Sequence, residues 1–119
     1  MTESVMLEKA KDFAVEIINT CNEIKETKRE FVLTTQLIRS GTSVGANIHE
    51  SKYGHGPADF ISKMQIALKE CYESEYWLEL LNKTNYLPDD RYKVLKNTCG
   101  AIRRMLISSI NTTKAGNTK

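Results

Sequence analysis

With 119 residues, the chain has the size of one domain with a single modest hydrophobic core, held without the help of disulfides or metals. Hydrophobic residues at 40%, charged residues at 27%, two prolines and six glycines describe a soluble globular chain rather than a disordered one. No apolar run approaches the roughly 18 residues of a membrane span, and MTESVMLEKAKDF has charges where a secretory leader needs its apolar stretch. The expectation is a cytoplasmic protein with no membrane partner.

The first helical pattern opens after Ser4, a candidate N-cap, where Met6, Ala10, Phe13, Ile17, Thr20 and Ile24 alternate spacings of four and three. Leu7, Ala14, Ile18 and Cys21 widen that stripe, and charges of both signs fill the positions between. The pattern stops near Glu26, and the short polar connection Thr27, Lys28, Arg29 favours an antiparallel neighbour.

A second helix is predicted from Glu30 or Phe31 to about Ser51. It contains QLIRSGTSVGANIHES, a run rich in small residues that lets a helix approach its neighbours closely. Gly41 and Gly45 each cost up to about 1 kcal/mol in a helix interior relative to alanine, so tertiary packing has to offset them. Arg39, Ser43, Asn47 and Glu50 follow one another by four, four and three residues, which sets four polar side chains on one face.

Tyr53 to Gly56 reads as a loop. Pro57 suits the first turn of a third helix, and Asp59 favours the positive end of its dipole. Phe60, Met64, Ala67, Cys71, Ser74, Leu78 and Leu81 carry its stripe, while Trp77 and Leu80 add apolar surface at an angle to it. Glu70, Glu73, Glu75 and Glu79 read as a solvated face. Asn85 is a candidate C-terminal cap, Pro88 follows, and Asp89 and Asp90 begin a fourth helix with Leu95, Cys99, Ile102, Leu106 and Ser109 or Ile110 inward. The four patterns predict an all-α fold, an antiparallel up-down-up-down four-helix bundle over residues 1–110, with 111–119 as a disordered tail.

Cys21, Cys71 and Cys99 each fall on an apolar stripe and read as buried, reduced thiols. His49 and His55 belong to no Glu-x-x-His pair. HExxH, phosphate-binding glycine loops and paired cysteines are not found in the sequence. Neither a metal nor another cofactor is expected, and the sequence offers no candidate catalytic residue.

Two constellations are left. The Arg39, Ser43, Asn47, Glu50 row reads as a polar network fixing helix register or a subunit contact, with a recognition site as the sharper alternative. In the structural reading, Arg39 and Glu50 couple directly or through a neighbouring chain. The last segment, residues 88–119, has seven basic and two acidic side chains, although the whole chain is only +2. Its Arg91, Lys93, Lys96, Arg103 and Arg104 lie away from the apolar stripe and are candidate contacts for a nucleic-acid backbone, without an interleaved aromatic row.

QLIRSGTSVGANIHES followed by ADFISKMQIALKECYESEYWLELL resembles the bacterial four-helix-bundle family encoded within intervening sequences of large-subunit ribosomal RNA genes. Retroelement accessory variability proteins share that fold. The resemblance spans about residues 5–110, with Arg39, Ser43, Asn47, Glu50, Asp59, Phe60, Glu70 and Trp77 on the family's pattern. Ser51 departs from the glycine or alanine usual after the Glu, and the basic stripe of the fourth helix lies outside the resemblance. It implies an antiparallel bundle that assembles into a homopentamer, with no established enzymatic activity. For the retroelement relatives it implies nucleic-acid binding. RNA is therefore the expected partner besides the chain itself, and Trp77 is the candidate anchor of the subunit contact.

Overall fold

The computed structural model describes the backbone of residues 2–116, with side-chain surroundings from Val5 onward. Four helices follow one another: α1 (Thr2–Lys28), α2 (Val32–Ser51), α3 (Pro57–Lys83) and α4 (Asp89–Lys114). Each packs against its neighbours in the ring α1–α2–α3–α4–α1, while the diagonal pairs are out of contact, as in an up-down-up-down bundle. The bundle is a rod of 48 × 21 × 19 Å.

The predicted stripes form its interior. Met6, Ala10, Phe13 and Ile17 of α1, Leu37 and Val44 of α2, Met64, Ala67 and Leu78 of α3, and Cys99, Ile102 and Leu106 of α4 are fully buried. All three cysteines are free and buried. Burial pushes the Cys21 thiol up to about 12. Cys99 Sγ donates to the Cys71 carbonyl at 3.4 Å, and contact with Cys71 together with burial raises its pKa far above the ordinary value. Cys21 and Cys99 are packing groups with negligible thiolate.

The small residues of α2 have two destinations. Toward α1, a Cβ on Gly41 would stand 3.1 Å from Ile17 Cγ2, and one on Gly45 would stand 3.5 Å from the Ala10 Cβ. Toward α3, Ser74 Oγ donates to Ser40 Oγ at 2.9 Å, both residues fully buried. The α2–α3 joint is the most extensive in the bundle.

The ends of the helices are set by local chemistry. α1 runs from Thr2, so the candidate N-cap Ser4 lies within the helix. α2 starts at Val32, one or two residues later than its pattern, because the Glu30 carboxylate accepts from the N–H groups of Val32 (3.0 Å), Leu33 (2.8 Å) and Thr34 (2.9 Å). Asn85 takes a left-handed φ of 68° just after α3. The Asn85 N–H then reaches the Asn82 carbonyl (3.1 Å), and the Tyr86 N–H reaches that of Leu81 (2.9 Å). Asn82 Nδ2 ties the turn to the Leu87 carbonyl at 3.0 Å and to Asp89 Oδ1 at 2.7 Å.

The expected boundary at Ile110 is corrected. α4 continues through Asn111, Thr112 and Thr113 to Lys114, with the Thr113 hydroxyl bonded to the Ser109 carbonyl and the Ala115 N–H to that of Asn111, both at 3.0 Å. Of the predicted tail, residues 117–119 lie outside the described residues.

Candidate functional site

α2 and α3 run antiparallel with a register given by three pairs: Arg39 with Glu73, Ser40 with Ser74, and Glu50 with Lys63. Ser40 and Ser74 close the inside of the joint. The polar row of α2 lies along its outer edge, facing a matching row on α3.

Arg39 sits over two carboxylates. Its Nη1 is 3.5 Å from Glu70 Oε1, and its Nη2 donates to Glu73 Oε2. The same Glu73 oxygen accepts the Trp77 indole N–H at 3.0 Å. Glu70 is only 13% exposed, its Oε1 is buried without a hydrogen bond, and the Arg39 charge is what balances it. Glu73 is held below the usual carboxylate range by the Trp77 N–H, and also by Arg39, against the opposing effect of burial. The bond to Glu73 in turn raises the Arg39 pKa.

The other three members of the row find different partners. Asn47 Nδ2 donates to the Ser43 carbonyl (2.9 Å) and hydroxyl (3.1 Å), one turn back in the same helix. Glu50 accepts from Lys63 of α3 at 2.8 Å, and that bond lowers its pKa. The expected direct coupling of Arg39 to Glu50 is therefore corrected within the chain. The two share a face but stand about 16 Å apart along the helix, and each is paired across the groove to α3.

A second correction concerns α3. Glu70, Glu73 and Glu75 are 13%, 29% and 21% exposed, not a solvated face. Only Glu79, at 51%, fits that description. Glu73 is the residue the sequence reading missed. The signal was available: Glu70, Glu73 and Trp77 recur at three and four residues, the spacing of a single helix face.

The five basic residues of α4 divide into two groups. Arg91 turns to α1, with Nη1 3.5 Å from Glu16 Oε1 and Nε donating to Thr20 Oγ1 at 3.3 Å. Arg103 turns to α3, where its Nε donates to Glu75 Oε2 at 2.8 Å and its guanidinium lies 5.4 Å from the centre of the Tyr72 ring. Lys93, Lys96 and Arg104 are exposed and enter no ion pair among the described residues. Lys96 lies 5.6 Å from the centre of the Tyr92 ring. Aromatic rings do accompany the cations, though one of them comes from α3. A shallow polar recess lined by Asn82, Asp89, Tyr92, Lys93, Lys96 and Asn97 adjoins this face. Among the described residues no cluster of three His, Cys, Asp or Glu side chains is placed to hold a metal.

Four antiparallel helices around one apolar interior, with a polar seam between α2 and α3, define an all-α four-helix bundle protein. The chain belongs to the 23S rRNA-intervening sequence protein family, whose model matches residues 2–108. It is also similar to a crystal structure of a protein with unknown function from the S23 ribosomal protein family of Bacteroides thetaiotaomicron VPI-5482. The TM-score is 0.92 and the identity 45%, over 94% of this chain and 100% of that one. No curated protein matches the chain.

Proposed function

We propose that this chain is a non-catalytic building block of a cytoplasmic homo-oligomer, a ring of five copies, whose partner is RNA. The observation that carries the reading is the apolar surface on a second side of α3. Met64, Ala67, Cys71 and Leu78 fill the core, yet Ile66 remains 39% and Tyr76 54% exposed, with Trp77 and Leu80 half-buried beside them. Tyr76 and Trp77 pack edge to face at 5.1 Å. Such a patch beside a polar seam is the kind of surface a subunit contact covers. Arg39 and Glu73 next to it are already paired within the chain, and the Trp77 N–H already has its acceptor, so covering these groups strands none of them. In this reading Trp77 anchors the contact, while Arg39, Ser43, Asn47 and Glu50 hold α2 and α3 in the register that presents it.

The family's association with 23S rRNA, and the S23 ribosomal protein family of the Bacteroides relative, support RNA as the partner. Lys93, Lys96 and Arg104 are the exposed basic side chains on α4 that enter no ion pair among the described residues, whereas Arg91 and Arg103 each hold a carboxylate of a neighbouring helix with part of their guanidinium group. Light scattering of the full chain at micromolar concentration tests the assembly: a mass of five chains is expected, and the mass of one chain ends the reading.

A further inference from the structure

Arg103 and Arg104 follow Gly100 by three and four residues, and side chains on a helix lean toward its N-terminus, so both reach back over the glycine. The point where a Gly100 Cβ would stand is 3.4 Å from Arg103 Nη2 and 3.4 Å from Arg104 Nη1. Two guanidinium groups thus converge over Gly100, which is buried. Arg103 is held in place at Nε, by the 2.8 Å bond to Glu75 Oε2, and by the Tyr72 ring beside it. Among the described residues Glu75 is the one carboxylate bonded to this pair, and its bond is to Nε, which leaves the end of the Arg103 fork between Nη1 and Nη2 without a carboxylate. The pair keeps a net positive charge, and like charges held together favour an anion between them. Lys96, one turn further toward the start of α4, reaches over the Tyr92 ring and adds positive charge to the same side of the helix.

We propose that Arg103 Nη2 and Arg104 Nη1 form a seat for a phosphate group over Gly100. Planar guanidinium forks match phosphate oxygens in a way that ammonium groups do not, and here one fork is preoriented by Glu75 and Tyr72. The phosphate is either a phosphodiester of RNA or free inorganic phosphate. The first source rests on the RNA reading above, and the second does not.

The test uses the full chain and Arg104→Gln, since Arg104 is exposed and enters no ion pair among the described residues, so its replacement should leave the unfolding midpoint where it is. One arm measures anisotropy of a labelled single-stranded RNA between about 50 and 200 mM salt. The other follows the arginine Nε–H signals by NMR as inorganic phosphate is added. If RNA occupies the seat, Arg104→Gln weakens binding about three- to tenfold and lowers the salt slope by about 0.7. If free phosphate occupies it, the Arg103 and Arg104 signals move in the parent chain and those of Arg103 stay still in the variant. A loss in either arm supports the seat and names its source. RNA binding equal in both proteins, with no phosphate-dependent shift, overturns the seat and leaves the RNA reading to another surface. Phosphate bound but RNA not bound by the parent chain keeps the seat and removes RNA from the proposed function. Silence in both arms overturns both.

Discussion

Glu73 concentrates the α2–α3 joint on a single oxygen, which accepts from Arg39 of one helix and from Trp77 of its own. Its strength is bounded by solvent: Arg39 is 49% exposed and Glu73 29%, so the pair is screened and lacks the 3 to 5 kcal/mol cost of breaking a buried one. A double-mutant cycle of Arg39→Ala and Glu73→Ala, read from chemical denaturation, is expected to give a coupling of about 0.5–1 kcal/mol. A coupling near zero would remove Glu73 from the role of hub. The same groups set the acid limit of the fold. Burial alone would raise the Glu30 pKa, but the N–H groups of Leu33, Thr34 and Val32 together hold it below its ordinary 4.5; Glu73 is lowered by Trp77 and Arg39. Carboxyls lowered in the folded state contribute stability that is complete above the unfolded pKa and is lost as pH falls through the folded one. The thermal midpoint should therefore hold from pH 7 to about 5 and fall below about 4.5, less steeply in Glu30→Gln. Equal acid slopes in parent and variant would show that Glu30 carries none of this dependence.

At the scale of the helix, the two glycines of α2 are not equivalent. Gly41 faces Ile17 at 3.1 Å, measured to the rigid branch of a buried side chain, whereas Gly45 has an ordinary 3.5 Å contact with Ala10. Gly45→Ala should stabilise by about 0.5–1 kcal/mol through helix propensity, and Gly41→Ala should destabilise by about 1–3 kcal/mol through overpacking. Urea midpoints of the two variants check this, and shifts of the same sign would mean that the α1–α2 spacing is misplaced. Position along the chain was legible because each helix keeps one apolar stripe: Phe13, Ile17, Leu78 and Leu106 are all where the four-three spacing puts them. The turn at Asn85 and Pro88 was legible from residue chemistry. What stands across a groove was not. Charges at Glu70, Glu73 and Glu75 look solvated on an isolated helix, and only the opposite rows, with Arg39 on α2 and Arg103 on α4, show why they are covered. Arg91 was misread for the same reason, since its partners Glu16 and Thr20 lie more than seventy residues earlier in the chain. The end of α4 was missed because Asn111, Thr112 and Thr113 are weak helix formers, whereas the hydroxyl of Thr113 and the N–H of Ala115 find carbonyls one turn back.

For the whole molecule, the interior is complete within one chain, and the surface is where a function has to be sought. The outer side of α3 offers Ile66, Tyr76 and Trp77; the outer side of α4 offers Lys93, Lys96 and Arg104. The proposed account gives the first to other copies and the second to RNA, which leaves the two surfaces separable by mutation. The most direct measurement is sedimentation equilibrium of the parent chain beside Tyr76→Glu, with helix content followed by circular dichroism. Tyr76 is 54% exposed, so the variant should keep its helices while a charge enters the proposed contact. The account predicts five chain masses for the parent and one for the variant at equal helicity. A parent at the 13.5 kDa of a single chain, or a variant that assembles as the parent does, would contradict it.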